Sequence, residues 1–163
     1  MAVSFEDAPG RLRALASYAI THAAARAAAL AADRIAQTGA SKASFGVLAV
    51  LEEFGPSSQA DVARRLGMDG RSMSEEAAHL ERRDLIVRAP DPTDSRRNRL
   101  EITTAGVALL AQLDGVLTAM QDDLLAPLSV PERRQLEHAL AAINRATGPG
   151  AQEGRLDASI SEP

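Results

Sequence analysis

The chain has 163 residues, and 18 basic against 22 acidic residues leave a formal net charge of -4, with no cysteine and no tryptophan. Lack of cysteine excludes disulfides, zinc–thiolate and iron–sulfur centres and thiol redox switches. No apolar run approaches the roughly 20 residues that cross a bilayer, and the opening Met1–Gly10 has no basic stretch leading into an apolar one, so a cytoplasmic protein is expected. A chain of this length suits one domain that buries about 68–70% of its unfolded surface. The acidic balance weighs at first against a nucleic-acid partner, whose domains are often basic.

The first long segment, Pro9 to Gln37, reads as a single helix. Its stretch Ala23–Ala32 is alanine throughout apart from Arg26 and Leu30, and alanine is the best helix former. Such a helix would be about 40 Å long, too long for a compact core of this size. Its small-residue face admits a second helix closely, which points to another copy of the chain. Ser41 then caps a helix to Phe54 with Phe45, Leu48, Leu51 and Phe54 as its apolar stripe, and Gly55-Pro56 ends it. Ser58 opens a short helix that stops at Leu66-Gly67. A third helix runs to Arg83, capped by Asp69 or by Ser72 with Glu75 closing a box; Asp69 is preferred because Gly67 is a natural stop.

From Leu85 the pattern changes. Leu85–Arg88 and Arg99–Thr103 are short β-type runs around a tip rich in proline and aspartate, Ala89–Asn98. This is a hairpin with arginines at its end. Thr103 or Thr104 caps a helix to Leu125 with Leu109, Leu113, Val116, Leu117, Met120 and Leu124 on one face. After Pro127, Ser129 and Glu132 form a capping box for a last helix to Arg145, with Leu136, Leu140 and Ile143 facing inward. The expected organisation is therefore a helix over residues 9–40 that pairs with another copy, three helices and a hairpin over 41–103, two further helices over 104–147 and a flexible tail over 148–163. The fold class is mainly α with a small β-hairpin wing, a winged helix-turn-helix.

In a helix-turn-helix the second helix enters the major groove with its N-terminal residues against base edges. Here it offers Arg71, Ser72, Ser74, Glu75, Ala78 and His79. The hairpin tip adds Arg96 and Arg97. Asp94, an acceptor-only carboxylate two residues before Arg96, can fix that guanidinium, and an arginine held on a loop tip suits a narrow minor groove. The blander alternatives are a structural three-helix domain and a solvated charged turn.

Leu66-Gly67-Met68, Leu80–Arg88, Asp91-Pro92-Thr93-Asp94-Ser95-Arg96 and Leu100–Gly106 together resemble, in residues and in spacing, the MarR family of bacterial transcriptional regulators. The likeness spans roughly residues 10–147. It implies a winged-helix homodimer in which the dimerisation helices, 9–40 and 104–147, interlock, and whose DNA-binding domain, 41–103, sets two recognition helices against successive major grooves of a pseudo-palindromic operator in double-stranded DNA. By resemblance, Arg96 is the wing arginine that enters the minor groove and Asp94 its support. Arg71, Ser72, Ser74 and Glu75 match the DNA-facing start of the recognition helix. The chain departs from the family pattern at Glu75, Glu76 and Asp84, the last in place of a helix-ending glycine.

Glu75 can accept from cytosine N4, or it can pair with Arg71 four residues earlier and orient it. Residues 61–101 hold nine arginines and nine acids, so the excess acid lies outside the DNA-reading segment. A second site is suggested by Tyr18, His22 and Arg26, one turn apart on the first helix, where an aromatic carboxylate or phenol could bind; the alternative is a border of the dimer interface. His79 and His138 have no metal-ligand spacing, and neither a metal nor a cofactor is expected. With no glycine-rich phosphate loop and no nucleophile elbow, an enzyme is not expected either. The leading function is a ligand-responsive dimeric repressor. The alternative, prompted by Glu75 and Glu76, is an antirepressor or heterodimer partner that acts through protein contacts.

Overall fold

The computed structural model describes residues 4–91 and 94–146, and for Asp91 and residues 94–98 it describes the backbone alone. The expected tail, 148–163, and the tip residues Pro92 and Thr93 lie outside the described residues. A 3-10 turn (Phe5–Asp7) is followed by α1 (Gly10–Arg13), α2 (Ala16–Ala36), α3 (Lys42–Phe54), β1 (Ser57–Ser58), α4 (Gln59–Leu66) and α5 (Gly70–Arg82). Then come β2 (Ile86–Asp91), β3 (Asp94–Ile102), α6 (Thr104–Leu125) and α7 (Val130–Ala146). The chain divides into two compact units between Gln121 and Asp122.

In the first unit the core forms where α3, α4, α5 and the first half of α6 close over the sheet. Val47, Leu48 and Leu51 of α3 meet Val62 of α4, Met73, Ala77 and Leu80 of α5, Ile86 and Leu100 of the strands, and Leu109 and Leu113 of α6. Met73, Ala77 and Leu80 lie at i, i+4 and i+7, so α5 buries one stripe and leaves Arg71, Ser72, Ser74 and Glu75 exposed opposite. The sheet is antiparallel in the order β1-β3-β2. Its edge strand β1 pairs Ser57 with Leu100 and Ser58 with Arg99. Two residues carry no period, which is why the pattern of the sequence did not show this strand.

The α5–β2 turn is fixed by the start of α6. Asp84 has φ 57°, a left-handed conformation that aspartate tolerates in place of glycine. Thr103 donates its hydroxyl to the Asp84 carbonyl at 2.7 Å and its N–H to the Leu85 carbonyl at 3.1 Å. The same hydroxyl accepts from the Gly106 N–H at 3.0 Å. A side chain at residue 106 would begin 2.2 Å from the Leu85 carbonyl oxygen, so only glycine lets α6 come this close.

Three expectations are corrected. The N-terminal segment is two helices, because Leu15 takes an extended conformation (φ -88°, ψ 119°) that ends α1 and starts α2. The break lets Arg13 meet Glu6 at 3.1 Å and Phe5 stack on Tyr18. It leaves α2 about 31 Å long. Phe54 belongs to no buried stripe: it is 50% exposed, with the Arg65 guanidinium 3.8 Å above its ring. In the second unit, Leu136, Leu140 and Ile143 of α7 are exposed at 38%, 37% and 44% rather than turned into a core. One arm of the expected capping box of α7 is formed: the Ser129 N–H and hydroxyl donate to Glu132 Oε2 at 2.8 and 2.6 Å. Those bonds hold the Glu132 carboxyl below its ordinary pKa.

Candidate nucleic-acid interface

The turn between α4 and α5 is made by two local devices. Gly67 ends α4 at φ 63°, ψ 29°, the left-handed cap that glycine adopts without steric cost. Asp69 then caps α5, accepting from the Ser72 N–H at 2.9 Å and the Ser72 hydroxyl at 2.7 Å. These bonds to Ser72 hold the Asp69 carboxyl below its ordinary pKa, so the cap is charged at neutral pH. Of the two N-caps that the sequence allowed, Asp69 is the one formed. Ser58 caps α4 and donates to Asp61 Oδ2 at 2.6 Å; that bond first, then the Arg64 partner, lowers the Asp61 pKa.

Four of the expected DNA-facing side chains stand on one open face, Arg71, Ser72, Ser74 and Glu75, while His79 is half-buried farther along α5. Arg71 Nε donates to Glu75 Oε1 at 2.9 Å, the i,i+4 pairing that the spacing allowed. Ser72 is committed to the cap. Glu76 turns away from this face. Its Oε1 accepts from the buried Ser44 hydroxyl at 2.6 Å, and its Oε2 lies 3.4 Å from the Ser41 hydroxyl. The carboxylate thus sits at the N-terminus of α3, where the helix dipole favours negative charge.

The wing is rooted by Arg88 of β2, which reaches Glu81 of α5 at 3.0 Å and Gln59 of α4 at 3.4 Å. The strand register runs from Ile86↔Ile102 to Pro90↔Asn98 and then shifts to Asp91↔Asp94. The backbone of Asp94, Arg96 and Arg97 therefore belongs to the distal part of β3. Their side chains, and with them the expected Asp94–Arg96 contact, lie outside the described residues. Spacing in the sequence carried no sign of the Arg88–Glu81–Gln59 bridge, since Gln59 and Arg88 are 29 residues apart.

The three residues expected to hold an aromatic ligand are only partly brought together. Tyr18 and His22 are in ring contact, with centroids 4.9 Å apart, and Phe5 covers both at 5.9 and 5.6 Å. A cavity of about 830 Å³ beside them is lined by Phe5, Glu6, Ala19, His22, Ala23 and Arg26 among others, and Tyr18 does not line it. Phe5 and Glu6 were not foreseen, because they precede the helix whose spacing pointed to the site. Among the described residues no group of three or more His, Asp or Glu side chains is placed to hold a metal ion, and no helix is long and apolar enough to cross a membrane.

Residues 38–97, which span α3 to the wing, match the model of the MarR family. The chain is similar to the HTH-type transcriptional regulator YxaD of Bacillus subtilis, with 30% identity over 64% of this chain and 73% of that protein. It is 33% identical to a transcriptional regulatory protein assigned to the hcr operon of Thauera aromatica, over 72% of this chain and 68% of the relative. Its fold resembles the transcriptional repressor CouR, solved bound to a 23-mer DNA duplex, with 30% identity, a TM-score of 0.72 and coverage of 82% of this chain and 95% of that one.

Proposed function

The chain belongs to the MarR family of DNA-binding transcriptional regulators, and on that premise we propose that it is a cytoplasmic homodimeric repressor that reads a pseudo-palindromic operator and is released by a small aromatic or phenolic ligand. It is a regulator rather than an enzyme. The observation that carries the DNA-reading part is the open N-terminal face of α5, set by Gly67 and Asp69, with Arg71 exposed at its start. The first turn of a recognition helix is what meets base edges. Arg71 and Ser74 face the major groove, with Glu75 beside Arg71 on the same face; Ser72 supports the helix cap; His79 flanks them; and Arg96 and Arg97 of the wing, with Asp94 as support, reach the minor groove.

Exposed apolar side chains support the dimer. Leu12, Leu15 and Ile20 at the N-terminal end are 41%, 51% and 40% exposed, and Leu136 and Leu140 of α7 are nearly as open. Burying such side chains against a second copy is favourable by about 25 cal/mol per Å². Segments 9–40 and 104–147 would then dimerise, and 41–103 would bind DNA. The cavity beside His22 and Arg26 supports the ligand part: Phe5 and His22 offer an aromatic wall, and Arg26 a partner for a carboxylate or phenolate. Glu76 no longer argues for a partner-binding function, since its carboxylate is engaged with Ser41 and Ser44.

The testing experiment is selection of duplex DNA from a random pool, followed by titration of the winning sequence with and without aromatic acids. Selection should yield an inverted repeat whose binding weakens steeply with salt. Arg96→Ala should lower affinity for it by at least about tenfold. A pool with no enriched sequence would sink the proposed function. In sedimentation at micromolar concentration the protein should run as a dimer, and a stable monomer would count against the proposed interface.

A further inference from the structure

The residue best suited to read a base in this helix is held by an acid. Arg71 Nε donates to Glu75 Oε1 at 2.9 Å, and the two side chains are 88% and 67% exposed. An ion pair this open adds almost nothing to folding. Its effect falls instead on what Arg71 can touch. A guanidinium has five N–H donors in a rigid fork. With Nε engaged, the end formed by Nη1 and Nη2 remains, and those two groups can donate in parallel to O6 and N7 of guanine.

Ser72 and Glu76 beside it do not compete for that role. The Ser72 N–H and hydroxyl are both taken by Asp69, and Glu76 is taken by Ser41 and Ser44. A phosphate contact is a different matter for Arg71. To reach the backbone it must leave Glu75, or carry the carboxylate toward a row of phosphates, and like charges repel. A base edge is neutral overall and imposes no such cost. We infer that Glu75 is a specificity-determining residue that positions Arg71 for guanine and suppresses its use on phosphates. Weak binding to arbitrary DNA and sharp discrimination at one base pair of each half-site then have the same origin. This inference rests on the DNA-reading function proposed above.

The test compares the full-length wild type with Glu75→Gln, which keeps the shape and removes the charge, and with Arg71→Ala and the double variant. Each is titrated with the selected duplex and with a random duplex of equal length, over a range of salt. Glu75→Gln should bind the random duplex more tightly, lower the selected-to-random affinity ratio by about tenfold, and steepen the salt slope on random DNA by up to about 0.9 as Arg71 gains a phosphate. Arg71→Ala should erase the guanine preference at its position. In that background Glu75→Gln should have no further effect on the ratio.

An unchanged ratio and slope in Glu75→Gln would overturn the inference, as would equal tightening on both duplexes. A ratio that still falls on Glu75→Gln in the Arg71→Ala background would overturn it too, because Glu75 would then read a base itself. A wild type that selects no duplex would overturn the DNA-reading function, and this inference with it. An unchanged melting temperature for Glu75→Gln is the expected control, and a large drop would mean that the pair serves the fold instead.

Discussion

Gly106→Ala is expected to destabilise the protein severely, by about 3 kcal/mol or more. Replacing glycine by alanine inside a helix normally gains about 0.5–1 kcal/mol. Here the sign reverses. The added Cβ would lie 2.2 Å from the Leu85 carbonyl oxygen and 2.7 Å from Ile102 Cγ1. The oxygen cannot yield, because it is backbone at the α5–β2 turn and accepts the Thr103 N–H at 3.1 Å. Relief requires α6 to withdraw, which would pull Leu109 and Leu113 out of the core. Total stability for a domain is only about 5–15 kcal/mol, so a large share is at stake. Gly115 supplies the contrast: it lies in the same helix with nothing within 4 Å of its would-be Cβ, and Gly115→Ala should gain the usual increment. Denaturant unfolding of the two variants checks both signs. A Gly106→Ala midpoint equal to the wild type would rule out the close approach of α6 to Leu85.

Glu76→Ala is expected to lower stability by about 2 kcal/mol while leaving the operator affinity of the folded protein unchanged. Hydrogen bonds to charged groups contribute about 1.5–3 kcal/mol, and the bond from the Ser44 hydroxyl is 2.6 Å long with Ser44 fully buried. Part of the loss is recovered, because Ser44 and Ser41 hydroxyls lie 3.0 Å apart and can satisfy each other. Glu76→Gln keeps an acceptor and should lose about half as much. Unfolding curves and a DNA titration on each variant separate the two readouts. Tighter DNA binding with unchanged stability would show that the carboxylate faces the duplex after all.

These two residues mark what was legible in the chain and what was not. Glu75 and Glu76 are adjacent acids that read alike as objections to DNA binding. In the structure one stands on the open face beside Arg71 and the other is buckled to α3. One residue along a helix rotates the side chain by about 100°, and that separates a reading face from a packing face. The pairing of Arg71 with Glu75 was available from spacing alone. The partner of Glu76 was not, because Ser44 is 32 residues away.

The sequence by itself determined most helix starts and stops, which are decided within a few residues. Ser41, Ser58, Asp69 and Ser129 could be placed as helix starts, Gly67 as a left-handed stop, and Leu109 and Leu113 on the apolar face of α6, because caps and helical periodicity act over three or four positions. It also carried the family, through spaced blocks around the wing. Only the tertiary structure decided that Phe5 folds over Tyr18 and His22, that Phe54 lies outside the core and that Gly106 must be glycine. Each of those depends on a contact between elements. The free energy of such a contact is a property of two distant segments together, and no local stretch of either one contains it.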